Sequence, residues 1–427
     1  MAFARIDVSF TSGSDEIAAW HFAPSEAASE PGPCVVMAHG FSLTRHDGLA
    51  AYAERFAAVG VRVLVFDHRF LGDSGGAPRQ RFRIAAQRED WCNAIAYARR
   101  MDGVDPERIV LWGYSFSGGH VTTLVARDQR LAAALALCPF VNGLQRALRT
   151  RPATTAWILP RAFAELAGRQ VQIPVTGSPG ARAAMTFPGE ADGFARTVGP
   201  DSPWRNQISP GVFATIVFHR PLSGAKRITC PLWVGLGERD ITVHGPSIQR
   251  LAERAPYGEL YRYPYDHFEP FLGDAPDRIA ADQIGFLRRH GLAPPRPAAQ
   301  PPDRAEALGA DSVKPTFLGG SRVMHWRAAS SSAGYSQESR HRRRTPRVPL
   351  DCDSRTGPAR SKTEAGKTHH SRRTLVALPL CGEGAGRLCG DRCLVVAVVA
   401  VRAAHPEDVQ RAAVLAAGGD RPDVLDR

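Results

Sequence analysis

Arg108-Ile-Val-Leu-Trp112 runs without a break into Gly113-Tyr-Ser115-Phe-Ser-Gly118-Gly119, and a helical pattern follows at 118–128. The first five residues are a short apolar run, the mark of a buried strand. A strand that turns at once into a helix leaves one residue at the bend, above the sheet edge. The backbone is crowded there, so the positions two before and two after must be small. Gly113 and Ser117 meet that condition, and Ser115 is the residue presented. A dinucleotide-binding turn would need glycine at 115 for close approach of a pyrophosphate, and would open the first βα unit; neither holds here.

The same rhythm extends in both directions. Ala4–Phe10 and Ile17–Phe22 read as an antiparallel pair, and Cys34–His39, Val61–Phe66, Leu131–Cys138, Pro231–Leu236 and Glu259–Tyr263 read as further strands. Helical patterns fill 47–59, 84–101, 246–255 and 276–290. Alternating strands and helices predict an α/β fold, a mostly parallel sheet flanked by helices. The stretch 140–228 breaks the alternation. It is rich in Pro and Gly, holds Trp157 and Trp204, and predicts an inserted cap over the carboxyl ends of the strands, with an apolar pocket beneath it. The organisation expected is therefore core 1–139, cap 140–228, core 229–292 and a tail 293–427.

Composition supports that boundary. The chain has 427 residues and 34 aromatic side chains, of which only Phe317, Trp326 and Tyr335 lie beyond 292. A segment so poor in aromatic area does not build its own core, and the Pro-rich start Pro294–Pro302 reads as a linker. The tail is expected to be mostly disordered, with one short helix at 406–417. It carries 22 Lys and Arg against 14 Asp and Glu, or +8 of the net +12. Only four of the 54 basic residues are lysine, so the charge is weak support for a polyanion partner; Arg340-His-Arg-Arg-Arg344 reads as a solvated run, and nucleic acid is not an expected partner. No run of 18 apolar residues predicts a membrane span, and Met1–Asp7 has no apolar leader, so a cytoplasmic protein is expected. The sequence says nothing of oligomeric state.

A serine hydroxyl at neutral pH is a poor nucleophile without a base, and the base needs a carboxylate to fix its tautomer. His267 follows the last strand in Tyr263-Pro-Tyr-Asp-His267-Phe-Glu-Pro270 and is the candidate base. His219 and His244 lack that strand-end setting, and His39, His68 and His120 read as locally packed. Gly235-Leu-Gly-Glu238-Arg-Asp240 offers two acids after the preceding strand. Asp240, at the loop apex, is preferred, and Glu238 is the alternative; Asp266 is too near His267 in sequence to reach its ring. An oxyanion would take backbone N–H groups from Phe116 and from Phe41, in His39-Gly40-Phe41. No metal or cofactor is expected. Cys34, Cys92, Cys138 and Cys230 read as buried thiols, and Cys381, Cys389 and Cys393 lack paired C-x2-C spacing.

Taken together, His39-Gly40-Phe41, the run from Phe66 to Gln80 with Gly72-Asp73-Ser-Gly-Gly76, Gly113-Tyr-Ser115-Phe-Ser-Gly118 and Asp266-His267-Phe268 resemble the α/β-hydrolase superfamily. The resemblance is closest to its serine-hydrolase branch with a dienelactone-hydrolase-like or Xaa-Pro-peptidase-like core, and covers about residues 4–292. Ile173–Gly180 and Ala184–Phe187 in the cap also resemble that branch. Ser117 stands where glycine is usual, and Asp266 where glycine often precedes the histidine. The resemblance implies hydrolysis of an ester or similar acyl bond on a small-molecule substrate through an acyl-enzyme. The alternatives are an acyltransferase using the same three residues and a non-catalytic binding protein on the same fold.

Overall fold

The structure is a computed structural model and describes residues 2–25 and 30–295. The expectations for 296–427, including the helix at 406–417, the basic cluster and the last four cysteines, lie outside those residues. Eight strands form one sheet: β1 (Phe3–Ser12), β2 (Asp15–Pro24), β3 (Gly32–Ala38), β4 (Arg62–Phe66), β5 (Val104–Tyr114), β6 (Ala133–Leu137), β7 (Leu232–Gly237) and β8 (Gly258–Tyr263). Their spatial order is β1-β2-β4-β3-β5-β6-β7-β8. β1 and β2 pair antiparallel, as does β2 with β4, and every pair from β4 to β8 is parallel. The helices between them are α1 (Leu49–Ala58), α2 (Ile84–Ala98), α3 (Phe116–Val125), α7 (Gly245–Arg254) and α8 (Ala275–Arg289).

The period of two along the central strands shows why they lie inside. In β3, Cys34, Val36 and Ala38 face one core while Val35 and Met37 face the other. In β5, Ile109 and Leu111 join the first core, and Val110, Trp112 and Tyr114 the second. Both faces of a parallel sheet need cover, and helices supply it. α2 and α3 bring Trp91, Ile95 and Val121 to the first face; α1 and α8 bring Tyr52, Phe56 and Phe286 to the second. Trp112 gives its Nε1–H to Gln283 at 3.0 Å, so its burial strands no donor. β5 begins at Val104, four residues earlier than the apolar run suggests, because Val104 pairs with Gly32 across an irregularity in register.

The chain passes from β3 to β4 on one side, then crosses back to β5 on the other. Ligands bind such sheets at the carboxyl ends beside that reversal, and it is here that His39 and Ser115 emerge. Between β6 and β7, α4 (Gly143–Arg149), α5 (Pro152–Leu166), α6 (Glu190–Thr197) and three 3-10 turns follow one another in the stretch expected to be a cap. No helix among the described residues is long and apolar enough to cross a membrane.

Candidate active site

Ser115 sits between β5 and α3 with φ 54° and ψ −113°, a conformation that costs a non-glycine residue about 1–3 kcal/mol. The fold holds it there from several sides. Its N–H donates to Leu137 O at 2.9 Å, and its carbonyl accepts from Phe140 N at 2.7 Å and Gly119 N at 3.1 Å. The small neighbours are required by space. A Cβ on Gly113 would stand 2.5 Å from the Ser117 backbone, and one on Gly118 would stand 2.8 Å from Pro139 Cβ.

His267 arrives on the loop after β8. Its Nε2 lies 3.0 Å from Ser115 Oγ and its Nδ1 lies 2.6 Å from Asp240 Oδ2. Asp240 Oδ1 accepts from the amides of Thr242 at 2.9 Å and Val243 at 3.1 Å. These contacts leave the carboxylate no freedom to turn, and its side chain is 1% exposed. Glu238, the alternative acid, is exposed on the way out of β7. The structure thus brings Ser115, His267 and Asp240 together, and not Glu238.

The loop carrying His267 is folded by its own side chains. Asp266 Oδ1 accepts from the amides of Phe268 at 2.7 Å and Glu269 at 2.8 Å, and Glu269 Oε2 accepts from Asp266 N at 2.6 Å. Burial alone would raise the Asp266 carboxyl, but those amides, helped by Arg196, hold it below its usual range. Asp266 therefore replaces the usual glycine with a reciprocal turn, which its place in the motif shows only as a departure. Tyr114 donates its hydroxyl to the His267 carbonyl. From the other side, Arg146 and Arg149 of α4 reach the acid loop, donating to Thr242 O and Val243 O, each at 3.1 Å.

Cys138 is a neighbour that the sequence does not flag. It is a buried thiol, as expected, but its sulfur, an Asp240 oxygen and a His267 nitrogen lie within 4.8 Å of one another. Burial first, and then the Asp240 charge, push its thiol well above the ordinary range. His46, Asp67 and Asp73 form a second group with metal-ligand spacing. There the guanidinium of Arg45 already pairs with both carboxylates, one nitrogen to each.

Ser115 opens onto a cavity of about 100 Å³. Phe41, Phe116 and Phe140 line it from the core; Ile158, Met185 and Phe213 line it from the stretch between β6 and β7. The pocket is apolar as expected, but not through the tryptophans. Trp157 packs under Arg161, with the guanidinium 4.4 Å from the ring centroid, and Trp204 stacks on Phe194 and bonds Ser42. The amides of Phe41 and Phe116 meet no acceptor among the described residues.

Several likenesses bear on this arrangement. A family profile described as serine aminopeptidase, S33, matches residues 29–268. The quorum-quenching protein AidA of Acinetobacter baumannii is 36% identical over 291 residues, 67% of this chain and 95% of that protein. The polyketide transferase af380 of Aspergillus fumigatus is 35% identical over 268 residues, 61% of this chain and 90% of that protein. Among solved structures, the α/β hydrolase GrgF of Penicillium sp. sh18 superposes with a TM-score of 0.57 at 24% identity, covering 67% of this chain and 99% of that one, a likeness of fold.

Proposed function

The chain belongs to the serine aminopeptidase S33 family of the α/β-hydrolase superfamily, and from that membership we propose that it is a serine hydrolase cleaving an ester or similar acyl bond through Ser115, His267 and Asp240. The observation that carries this reading is the unbroken line from Ser115 Oγ to His267 Nε2 (3.0 Å) and from Nδ1 to Asp240 Oδ2 (2.6 Å), at the mouth of an apolar cavity.

The steps follow from which atom holds each proton. Ser115 Oγ attacks the carbonyl carbon as His267 Nε2 takes its proton, and Asp240 holds Nδ1–H and favours the imidazolium. The negative oxygen of the tetrahedral intermediate rests on the Phe41 and Phe116 amides. Collapse breaks the ester bond, and the leaving oxygen takes the proton from His267. Water then gives a proton to His267 and attacks the acyl-Ser115, and collapse of this second intermediate releases the acid as His267 returns the proton to Ser115 Oγ. The lining is mostly apolar, and Arg146 within it is already paired with Glu190, which suits an acyl group without charge.

Acyl transfer is the second reading, favoured by the likeness to a protein named a polyketide transferase. An amine or alcohol would then replace water in the last step. Product analysis of an ester incubated with and without added amine separates the two. Free acid alone in both supports hydrolysis; amide as the main product supports transfer. No acid and no amide from a panel of esters and thioesters would sink both.

Gly40 sits against the elbow, and a Cβ there would lie 2.9 Å from Ser115 Cβ and 3.1 Å from Tyr114 O. Gly40→Ala is expected to lower kcat/KM about a hundredfold with the circular dichroism spectrum unchanged, because displacements of about 1 Å cost that much. Wild-type kinetics in that variant would show that the loop does not serve the reacting carbonyl.

We also propose that the activity resides in residues 1–295. Leu292 and Ala293 are buried in the second core, and Pro294 O accepts from Arg288 Nε at 2.9 Å, which supports a boundary slightly beyond residue 292. A chain ending at 295 is expected to keep the ester-hydrolysis rate of the full chain. A soluble but inactive shortened chain would place an essential part of the site in 296–427.

A further inference from the structure

We propose that Ser117 is a positioning residue that holds the Phe41 amide in line with the developing oxyanion, an inference that rests on the serine-hydrolase reading above. Gly40 has to be glycine, because Ser115 leaves no room for its Cβ. Glycine leaves the backbone loose, and a rotation at Gly40 would carry the Phe41 N–H away from the nucleophile. That hinge can be held only through its flanks, and on one side the flank is the peptide unit joining His39 to Gly40.

The peptide unit joining His39 to Gly40 is fixed at both ends. Its carbonyl accepts from Ser117 Oγ at 2.5 Å. Its N–H donates to His39 Nδ1 at 2.8 Å. The His39 ring is itself anchored, with Nε2 donating to Asp47 O at 2.9 Å and the ring stacked on Phe271 at 4.9 Å. Burial holds the His39 imidazole down to about 3, so it stays neutral and Nδ1 remains an acceptor across the working range. Ser117 is on the first turn of α3 and 1% exposed, so the helix fixes where its oxygen lies. His68 Nε2 stands 3.3 Å from that oxygen. With the Ser117 proton committed to His39 O, this contact is one in which the hydroxyl accepts. Asp90 lies 3.6 Å beyond, beside His68 Nδ1.

Glycine at 117, the usual residue of the motif, would offer no donor to the His39 carbonyl. The hydroxyl thus links the elbow that carries the nucleophile to the loop that carries the Phe41 amide, without touching substrate.

The test uses the full chain, with Ser117→Ala and Ser117→Gly, the latter being the motif's own residue and so a second route to a folded variant. Hydrolysis of a p-nitrophenyl ester and binding of an alkyl boronic acid, a tetrahedral mimic, and of the carboxylic acid product are measured on each. The expected result is a kcat lower by roughly 10–100-fold, below the full loss of an oxyanion donor, with KM within about twofold of wild type. Boronic acid affinity falls by a similar factor and product acid affinity does not change. Unchanged kcat in both variants, or an equal loss of affinity for boronic acid and product, would overturn the proposal. A Ser115→Ala variant run alongside keeps the two claims apart. If it retains full activity, the serine-hydrolase reading fails; if it is dead while Ser117→Ala is unimpaired, only this inference fails.

Discussion

Ser115→Ala is expected to lower kcat on an activated ester by about a millionfold, the scale seen when the nucleophile of such a unit is removed. KM should change little, because the apolar cavity is untouched. Ser115→Gly adds a second readout. It is equally inactive, but it relieves the φ 54° conformation, and about 1–3 kcal/mol of strain outweighs about 0.5–1 kcal/mol of added chain entropy for glycine. Its thermal midpoint is therefore expected to rise above that of wild type. A nucleophile held in strain at the cost of stability is the physical claim at stake. A Ser115→Gly protein that is both inactive and less stable would show that the bend is comfortable and that the strain argument is wrong.

Asp240→Asn is the second large effect, about 10⁴-fold in kcat. The loss follows from the tautomer. Asp240 Oδ2, 2.6 Å from His267 Nδ1, accepts its proton and leaves Nε2 free to take the proton of Ser115. A carboxamide in that place can present an N–H instead, which reverses the ring and blocks Nε2. Geometry is preserved because the remaining oxygen keeps the Thr242 and Val243 amides that Oδ1 holds in the native chain. Glu238→Gln is the matched control and is expected to be indistinguishable from wild type, since Glu238 is exposed. The reverse pattern, with Glu238→Gln impaired and Asp240→Asn active, would move the acid to Glu238.

Much of this is legible without coordinates. Buried parallel strands are short continuous apolar runs, and β3 to β7 announce themselves that way, whereas the edge strand β8 is half-exposed and carries Glu259 and Arg262. Ser115, His267 and Asp240 stand out because each follows a strand, and position after a strand is a local property. What stays hidden depends on contacts distant in sequence. Asp240 and Glu238 share one loop, and only the path of that loop toward His267 separates them. Cys138 carries no signal beyond burial, yet it lies beside Asp240. The apolarity of the pocket is expected from the Trp and Phe content of that stretch; Phe213 lines it with Ile158 and Met185, while the rings of Trp157 and Trp204 are engaged elsewhere. Composition gives the character of the lining, not its members: Trp157 and Ile158 are neighbours on α5, and only the packing of that helix decides that Ile158 faces inward. Ser117 and Asp266 teach the same lesson on a smaller scale. Each looks like a tolerated departure from glycine, and each bonds the backbone of a loop next to the candidate site through its side-chain oxygen.

Mass-spectrometric mapping of the full chain after reaction with a fluorophosphonate tests whether Ser115 is the nucleophile. One phosphonyl group per chain is expected, on Ser115, and no adduct once His267 is replaced by alanine. A stoichiometric adduct on any other residue, or none on a protein that hydrolyses esters, would contradict that assignment.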